Sequence, residues 1–252
     1  MISSRIGLLC MSFVSFASAQ ETLPAAATIM DRYVSATGGR EAYEKLKTEV
    51  RTVTLELKVR DVRFTVTTYR AKPNKMYTIT EIPGVGKVEE GVDGDVAWSL
   101  SEARGAALKQ GAERDFALYG ARLDAEVNWN EWFPRAEVIS TEELEGHTCY
   151  KVLLTDKDGE QHSRWYDKEA GFLVKLVLQV KLPQGQFPME VRFYDYRETG
   201  GLLQASRTVR VMPGQEMESR LEKIETNVEI DPARFAMPDA VKALVEKQKA
   251  GS

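Results

Sequence analysis

Cysteine is nearly absent from this 252-residue chain, which has only Cys10 and Cys149. Cys10 falls in an apolar leader, so the rest of the chain holds one thiol and no internal disulfide can staple it. Histidine is as scarce, at His147 and His162. His147 and Cys149 would share one strand face, but zinc usually takes three or four protein ligands and no second pair has matching spacing. There is no G-x-S-x-G elbow, and Cys149, inside a strand-like run, lacks the helix N-terminus that would lower its pKa. A basic block is also missing. With 34 Lys and Arg against 38 Asp and Glu the net charge is -4, which disfavours nucleic acid and gives anionic headgroups no electrostatic hold. The pairs Glu89-Glu90, Glu142-Glu143 and Asp156/Asp158 sit in polar turn or strand-edge contexts, where solvation rather than acid-base work is expected. Asp156-Lys157-Asp158-Gly159 opens like a calcium loop without the completing acidic residue, and Gly84-Val85-Gly86 has no helix after it to cradle a phosphate. No catalytic residue, metal or cofactor is therefore expected.

What is present begins with export. One basic residue, Arg5, precedes an apolar run from Ile6 to Phe16 and the small-residue end Ala17-Ser18-Ala19. These are the parts of a secretory signal peptide, and the run is far shorter than the ~20 residues that span a bilayer. Cleavage after Ala19 is expected, giving a periplasmic chain that starts at Gln20. Leu9 before Cys10 spoils a lipoprotein acylation site. Loss of Arg5 takes the net charge to -5.

Beyond the leader, Ile29 with Tyr33 and Met30 with Val34 repeat at four-residue spacing, so a helix is predicted, opened near Pro24 and ended by Gly38-Gly39. A second helical turn runs from Arg40 to Lys47. From Glu49 the period becomes two. Val53, Leu55, Leu57 and Val59 alternate with polar residues, as do Val62, Phe64 and Val66. Turn pairs such as Pro83-Gly84, Asp93-Gly94, Glu145-Gly146, Asp158-Gly159 and Ala170-Gly171 punctuate the runs that follow. The longest clean alternation is Phe172, Val174, Leu176, Leu178, Val180 and Leu182, which puts these six on one face. A lysine-rich helix, Pro238 to Lys249, closes the chain. Nothing divides residues 20–252, which read as one domain of about ten antiparallel strands. So many strands should curl, leaving the helices to cover the concave face.

The pattern breaks once. Between Gly111 and Pro134, Phe116, Tyr119, Leu123 and Val127 fall at helical spacing, leading into Trp129-Asn130-Glu131-Trp132-Phe133-Pro134. Two readings of the rings stand. Trp98, Phe116, Tyr119, Trp129, Trp132 and Phe133 are either ordinary core or, with Leu123, the lining of an apolar ligand site under a helical lid.

Several phrases resemble the superfamily of periplasmic lipoprotein-carrier and outer-membrane lipoprotein-sorting proteins. Tyr33-Val34-Ser35-Ala36-Thr37-Gly38-Gly39 with Ala42 is similar to the family's opening helix. Gly91-Val92-Asp93-Gly94-Asp95-Val96-Ala97-Trp98 is similar to a recurring hairpin. Gly146-His147-Thr148-Cys149-Tyr150-Lys151-Val152 with Trp165-Tyr166-Asp167 looks like its central strand pair. Asp195-Tyr196-Arg197-Glu198-Thr199-Gly200-Gly201 and Ile230-Asp231-Pro232-Ala233-Arg234-Phe235 look like a late hairpin and the closing phrase. The resemblance implies an α+β fold, an incomplete β-barrel of curled antiparallel sheet closed by helices, around an apolar cavity. It implies an apolar ligand, a lipid or lipoprotein acyl chain, and transient contact with the membrane or envelope proteins. The lid-latching arginine of the dedicated carrier has no matching position, so no functional residue is carried over. A non-enzymatic assembly or interaction module with a self-filled core is the alternative.

Overall fold

A computed structural model of the chain describes residues 22–182 and 185–250. The expected leader, its cleavage point after Ala19 and Gln20 lie outside the described residues. In chain order the elements are α1 (Ala26–Ala36), α2 (Arg40–Lys45), β1 (Thr48–Leu57), β2 (Val62–Ala71), β3 (Lys75–Ile82), β4 (Gly86–Asp93), β5 (Val96–Ser101) and β6 (Gly105–Leu108). Then come α3 (Gly111–Ala121), a 3-10 turn (Trp129–Glu131), β7 (Arg135–Leu144), β8 (His147–Thr155), β9 (Gln161–Asp167) and β10 (Leu173–Leu182). β11 (Gly185–Thr199), β12 (Leu202–Met212), β13 (Gln215–Thr226), a 3-10 turn (Pro232–Phe235) and α4 (Asp239–Ala250) follow.

The fold is α+β. All strands join one curled antiparallel sheet of 13, in the order β6-β5-β4-β3-β2-β1-β13-β12-β11-β10-β9-β8-β7, so β6 and β7 are free edges and the barrel stays open. Two meanders, β1 to β6 and β7 to β13, meet where β1 pairs with β13. This order explains the helical insert. The chain leaves one edge of the sheet at β6 and must reach the other at β7, so the connecting segment crosses the sheet's face and brings α3 with it.

The two faces are covered differently. Neighbouring residues on a strand point to opposite sides, and directly paired residues share a side. Met76, Val92 and Ala97 pack against Ala117, Leu118 and Ala121 of α3, on what we call the inner face. Tyr77 and Trp98, each one residue further along, pack against Phe235 and Val241 on the outer face. The helices do not all lie on the concave side as the sequence suggested. α4 and the Pro232–Phe235 turn cover the outer side of the β3–β6 edge, because the aromatic residues of those strands fall on that side.

Other differences have local causes. The strands number 13 rather than about ten; β6, Gly105-Ala106-Ala107-Leu108, carries no alternation to betray it. The helix of the insert stops at Ala121, where Arg122 turns extended (φ -81°, ψ 125°), instead of running on through Leu123 and Val127. Pro24 precedes α1 rather than opening it. In β10 the pairing with β9 shifts register between Leu173 and Lys175. That bulge puts Val174 on the outer side with Cys149 and Trp165, while Leu173 and Leu176 join the inner cluster. Val174, Leu176 and Leu178 therefore do not share one face.

A candidate ligand groove on the inner face

The inner face has a helix-covered half and an open half. In the covered half, Ile29 and Met30 of α1 pack on Val152, Leu154, Tyr166 and Leu173, and Phe133 joins them. Val34, Tyr43, Leu46, Leu123, Val127 and Leu202 form a second cluster beside it. Gly38 makes this approach possible. Its φ is +136°, and a Cβ there would lie 2.8 Å from Leu202, so the chain leaves α1 through a conformation that glycine adopts freely.

A buried charge sits among these residues. Arg164 on β9 is 6% exposed, and its Nη1 donates to Glu126 Oε2 at 3.0 Å and its Nη2 to the Tyr119 hydroxyl at 3.0 Å. Tyr119 in turn donates to Glu126 Oε1 at 2.8 Å. The guanidinium lies 5.3 Å from the Phe133 ring centroid and 5.7 Å from that of Tyr119. Burial by itself would lower the arginine's pKa, but Tyr119, Glu126 and Tyr166 outweigh it and hold it well above the usual range. Tyr119 is pushed up by burial, and so is Tyr166, to about 12. These groups fasten the insert to the sheet.

The sequence-nominated residues separate. Tyr119, Trp132 and Phe133 meet around this charge, with Tyr119 edge-on to Trp132 at 5.5 Å and to Phe133 at 5.8 Å. Trp129 is half-buried against the same cluster and Leu123 is buried in the neighbouring one. The other two lie elsewhere. Trp98 is buried on the outer face, its ring flat on Gly91. Phe116 is 54% exposed, so the burial expected for it against strand residues is not found; the apolar side of α3 is formed by Ala117, Leu118 and Ala121 instead.

Beneath the helices a cavity of about 250 Å³ is lined by Tyr33, Tyr43, Tyr119, Glu126, Tyr196 and Thr208, among others. It also meets Glu49, which is 2% exposed and held by Arg70 and Arg51. Burial would raise the Glu49 pKa, but the two arginines override it and bring it to about 2. The cavity is smaller than the ~300–1,000 Å³ of typical small-molecule sites, and its walls mix polar groups with a larger apolar share. Its lining reaches Phe193 and Thr208 of the inner-face strands.

The open half continues from it. One cross-strand row runs Leu176, Val191, Arg210, Met217, Leu57, Val62, and the next runs Phe193, Thr208, Ser219, Leu55, Phe64. A third includes Leu221, Val53 and Val66. Leu178, Met189 and Val191 form a cluster with Leu176, Val180, Phe193 and Met212, strand residues throughout, with no helix residue in it among the described residues. Most of the residues in these rows are only half-buried. From Arg51 to Leu57 this floor extends about 20 Å along the strand, the length of an extended fatty acyl chain. The apolar alternation of β1 and β2 predicts half-buried strands, and such a strand gives the same pattern whether a helix, a ligand or water lies above it.

Burial raises the Cys149 thiol to about 11, and His147 Nδ1 is bonded to Asp167 at 2.5 Å. Among the described residues no cluster of three or more His, Cys, Asp or Glu could hold a metal, and no helix is long and apolar enough to cross a membrane.

No family model matches this sequence. No curated protein matches it either. Solved structures do match in fold. A LolA superfamily protein, NE2245 from Nitrosomonas europaea, superposes with TM-score 0.59 at 12% identity, over 85% of this chain and 99% of that one. A DUF1329 family protein from Desulfovibrio piger gives 0.57 at 12% identity, over 85% and 98%. A domain from Vibrio parahaemolyticus named for outer-membrane lipoprotein sorting gives 0.54 at 12% identity, over 83% and 97%. This chain has the fold of the LolA superfamily and of lipoprotein-sorting domains.

Proposed function

We propose that the chain is an exported, non-enzymatic binding protein that holds an apolar ligand, a lipid or a lipoprotein acyl chain, on the open half of its inner face. The observation that carries this reading is the set of inner-face rows around Leu55, Leu57, Phe64, Val191 and Met217, mostly half-buried and with no helix packed on them among the described residues. Apolar surface left in water costs roughly 25 cal/mol per Å², so a groove of this length is worth filling. The likeness in fold to proteins named for lipoprotein sorting supports the same ligand class, and the Ala17-Ser18-Ala19 leader supports a periplasmic location. Tyr119, Leu123, Trp129, Trp132 and Phe133 would then form the closed end of the groove and its support. Native mass spectrometry of protein purified from its own cell envelope tests the reading. A co-purifying mass of lipid size is expected; protein free of lipid at every preparation would favour an interaction module whose core is self-filled.

A further inference from the structure

Among the described residues, the rows of the open half place one charged side chain at their centre. Arg210 stands on the inner face of β12, directly across from Val191 on β11 and Met217 on β13. Thr208 and Met212 are its nearest inward neighbours on its own strand. It is exposed, although its strand neighbours are half-buried, and it forms no salt bridge among the described residues. Two features distinguish it from the other inner-face arginines. Arg164, Arg70 and Arg51 are each spent on a carboxylate. The carboxylate that acts on Arg210 is Glu90 on β4, which is itself paired with Lys109 at 2.6 Å. The surrounding protein lowers the Arg210 pKa, with Glu90 opposing that shift.

We propose that Arg210 is the head-group anchor of the groove and that the ligand is a single-chain amphiphile whose head is a carboxylate, with its tail along the apolar rows. This inference rests on the apolar-ligand reading above and narrows it. A guanidinium presents a planar fork that a carboxylate accepts in two parallel hydrogen bonds, stronger than neutral ones. An unpaired arginine on an apolar floor carries that capacity unused. A single cation suits a monoanionic head.

The test is a titration of the full chain at pH 8 with oleate and, separately, with oleyl alcohol, which has the same tail and no charge. Wild-type protein should prefer oleate by about tenfold or more, the scale of one charged hydrogen-bonded contact. Arg210→Gln should erase that preference while leaving affinity for the alcohol unchanged, and Arg210→Lys should restore part of it. Equal binding of oleate and alcohol by wild type overturns the anchor and leaves the apolar groove standing. Binding of neither overturns both. Loss of alcohol binding in Arg210→Gln would mean that the residue shapes the groove instead of reading the head, and this too overturns the anchor.

Discussion

Arg164 and Glu126, thirty-eight positions apart, meet at 3.0 Å on the inner face, with the arginine 7% and the glutamate 25% exposed at the side chain. One belongs to β9 and the other to the loop after α3. The pair therefore ties the segment that crosses the sheet to the sheet itself. A buried charge stripped of its partner is expensive, so Glu126→Ala should cost about 3 kcal/mol in urea unfolding. Replacing both partners, with Arg164→Met and Glu126→Leu together, should return most of that. A single variant as stable as wild type would show that the insert is held by its apolar contacts alone.

Glu49 predicts a pH dependence. Its folded pKa, about 2, lies below the usual value of 4.5. The group therefore contributes stability that is fully present above pH 4.5 and is lost as the pH falls toward 2. The shift corresponds to roughly 3 kcal/mol. Glu49→Gln should be destabilised by about that much at pH 7, and the gap to wild type should close as both are melted at pH 4, 3 and 2. A gap constant with pH would mean that the carboxylate's charge is not what Arg51 and Arg70 stabilise.

Gly91 lies under the Trp98 ring, where a Cβ would come within 2.4 Å of the indole. The ring is 1% exposed and cannot swing into solvent without opening the outer cluster. Gly91→Ala should lower stability by about 2 kcal/mol or more, a typical cost of overpacking. Thermal melts showing no change would place the tryptophan elsewhere.

On the outer side of β10, the Lys175 ammonium sits 4.1 Å from the Trp165 ring centroid. Its side chain is only 15% exposed, and Trp165 Nε1 donates to Glu142 at 2.6 Å. Lys175→Ala should cost about 1 kcal/mol, above the ~0.5 kcal/mol ceiling of an ordinary surface change. Denaturant melts that put Lys175→Ala within that ceiling would argue against a packed outer face.

The sheet, its helices and the position of the insert were legible in the sequence because each follows from a period: 3.6 at Ile29 and Tyr33, 2 at Val53 to Leu57. Three things were not. The bulge at Val174 sends that residue outward and brings Leu173 inward while Leu176 and Leu178 keep their side, and such a slip leaves the run of apolar residues intact. Val209 and Val211 mark β12 as a strand, yet the inner face takes Thr208, Arg210 and Met212, so the groove's charge hides among residues that read as solvated. Trp98 and Trp132 look alike in a list of aromatic residues, but the pairing of β4 with β5 sends Trp98 to the outer side. Rings can be counted in a sequence; the face they occupy depends on long-range pairing.

The central claim is that the open half of the inner face holds a ligand, and Ser219 offers the most direct test. It is a small inner-face residue between Thr208 and Leu55, on the floor of the groove. Ser219→Phe would fill that space without removing any core contact. The measurement is a titration of wild type and Ser219→Phe with a neutral fluorescent acyl probe, beside a thermal melt of each. The account predicts saturable uptake by wild type, and uptake reduced at least tenfold in the variant with the melting temperature little changed. No uptake by wild type, or equal uptake by both proteins, would contradict it.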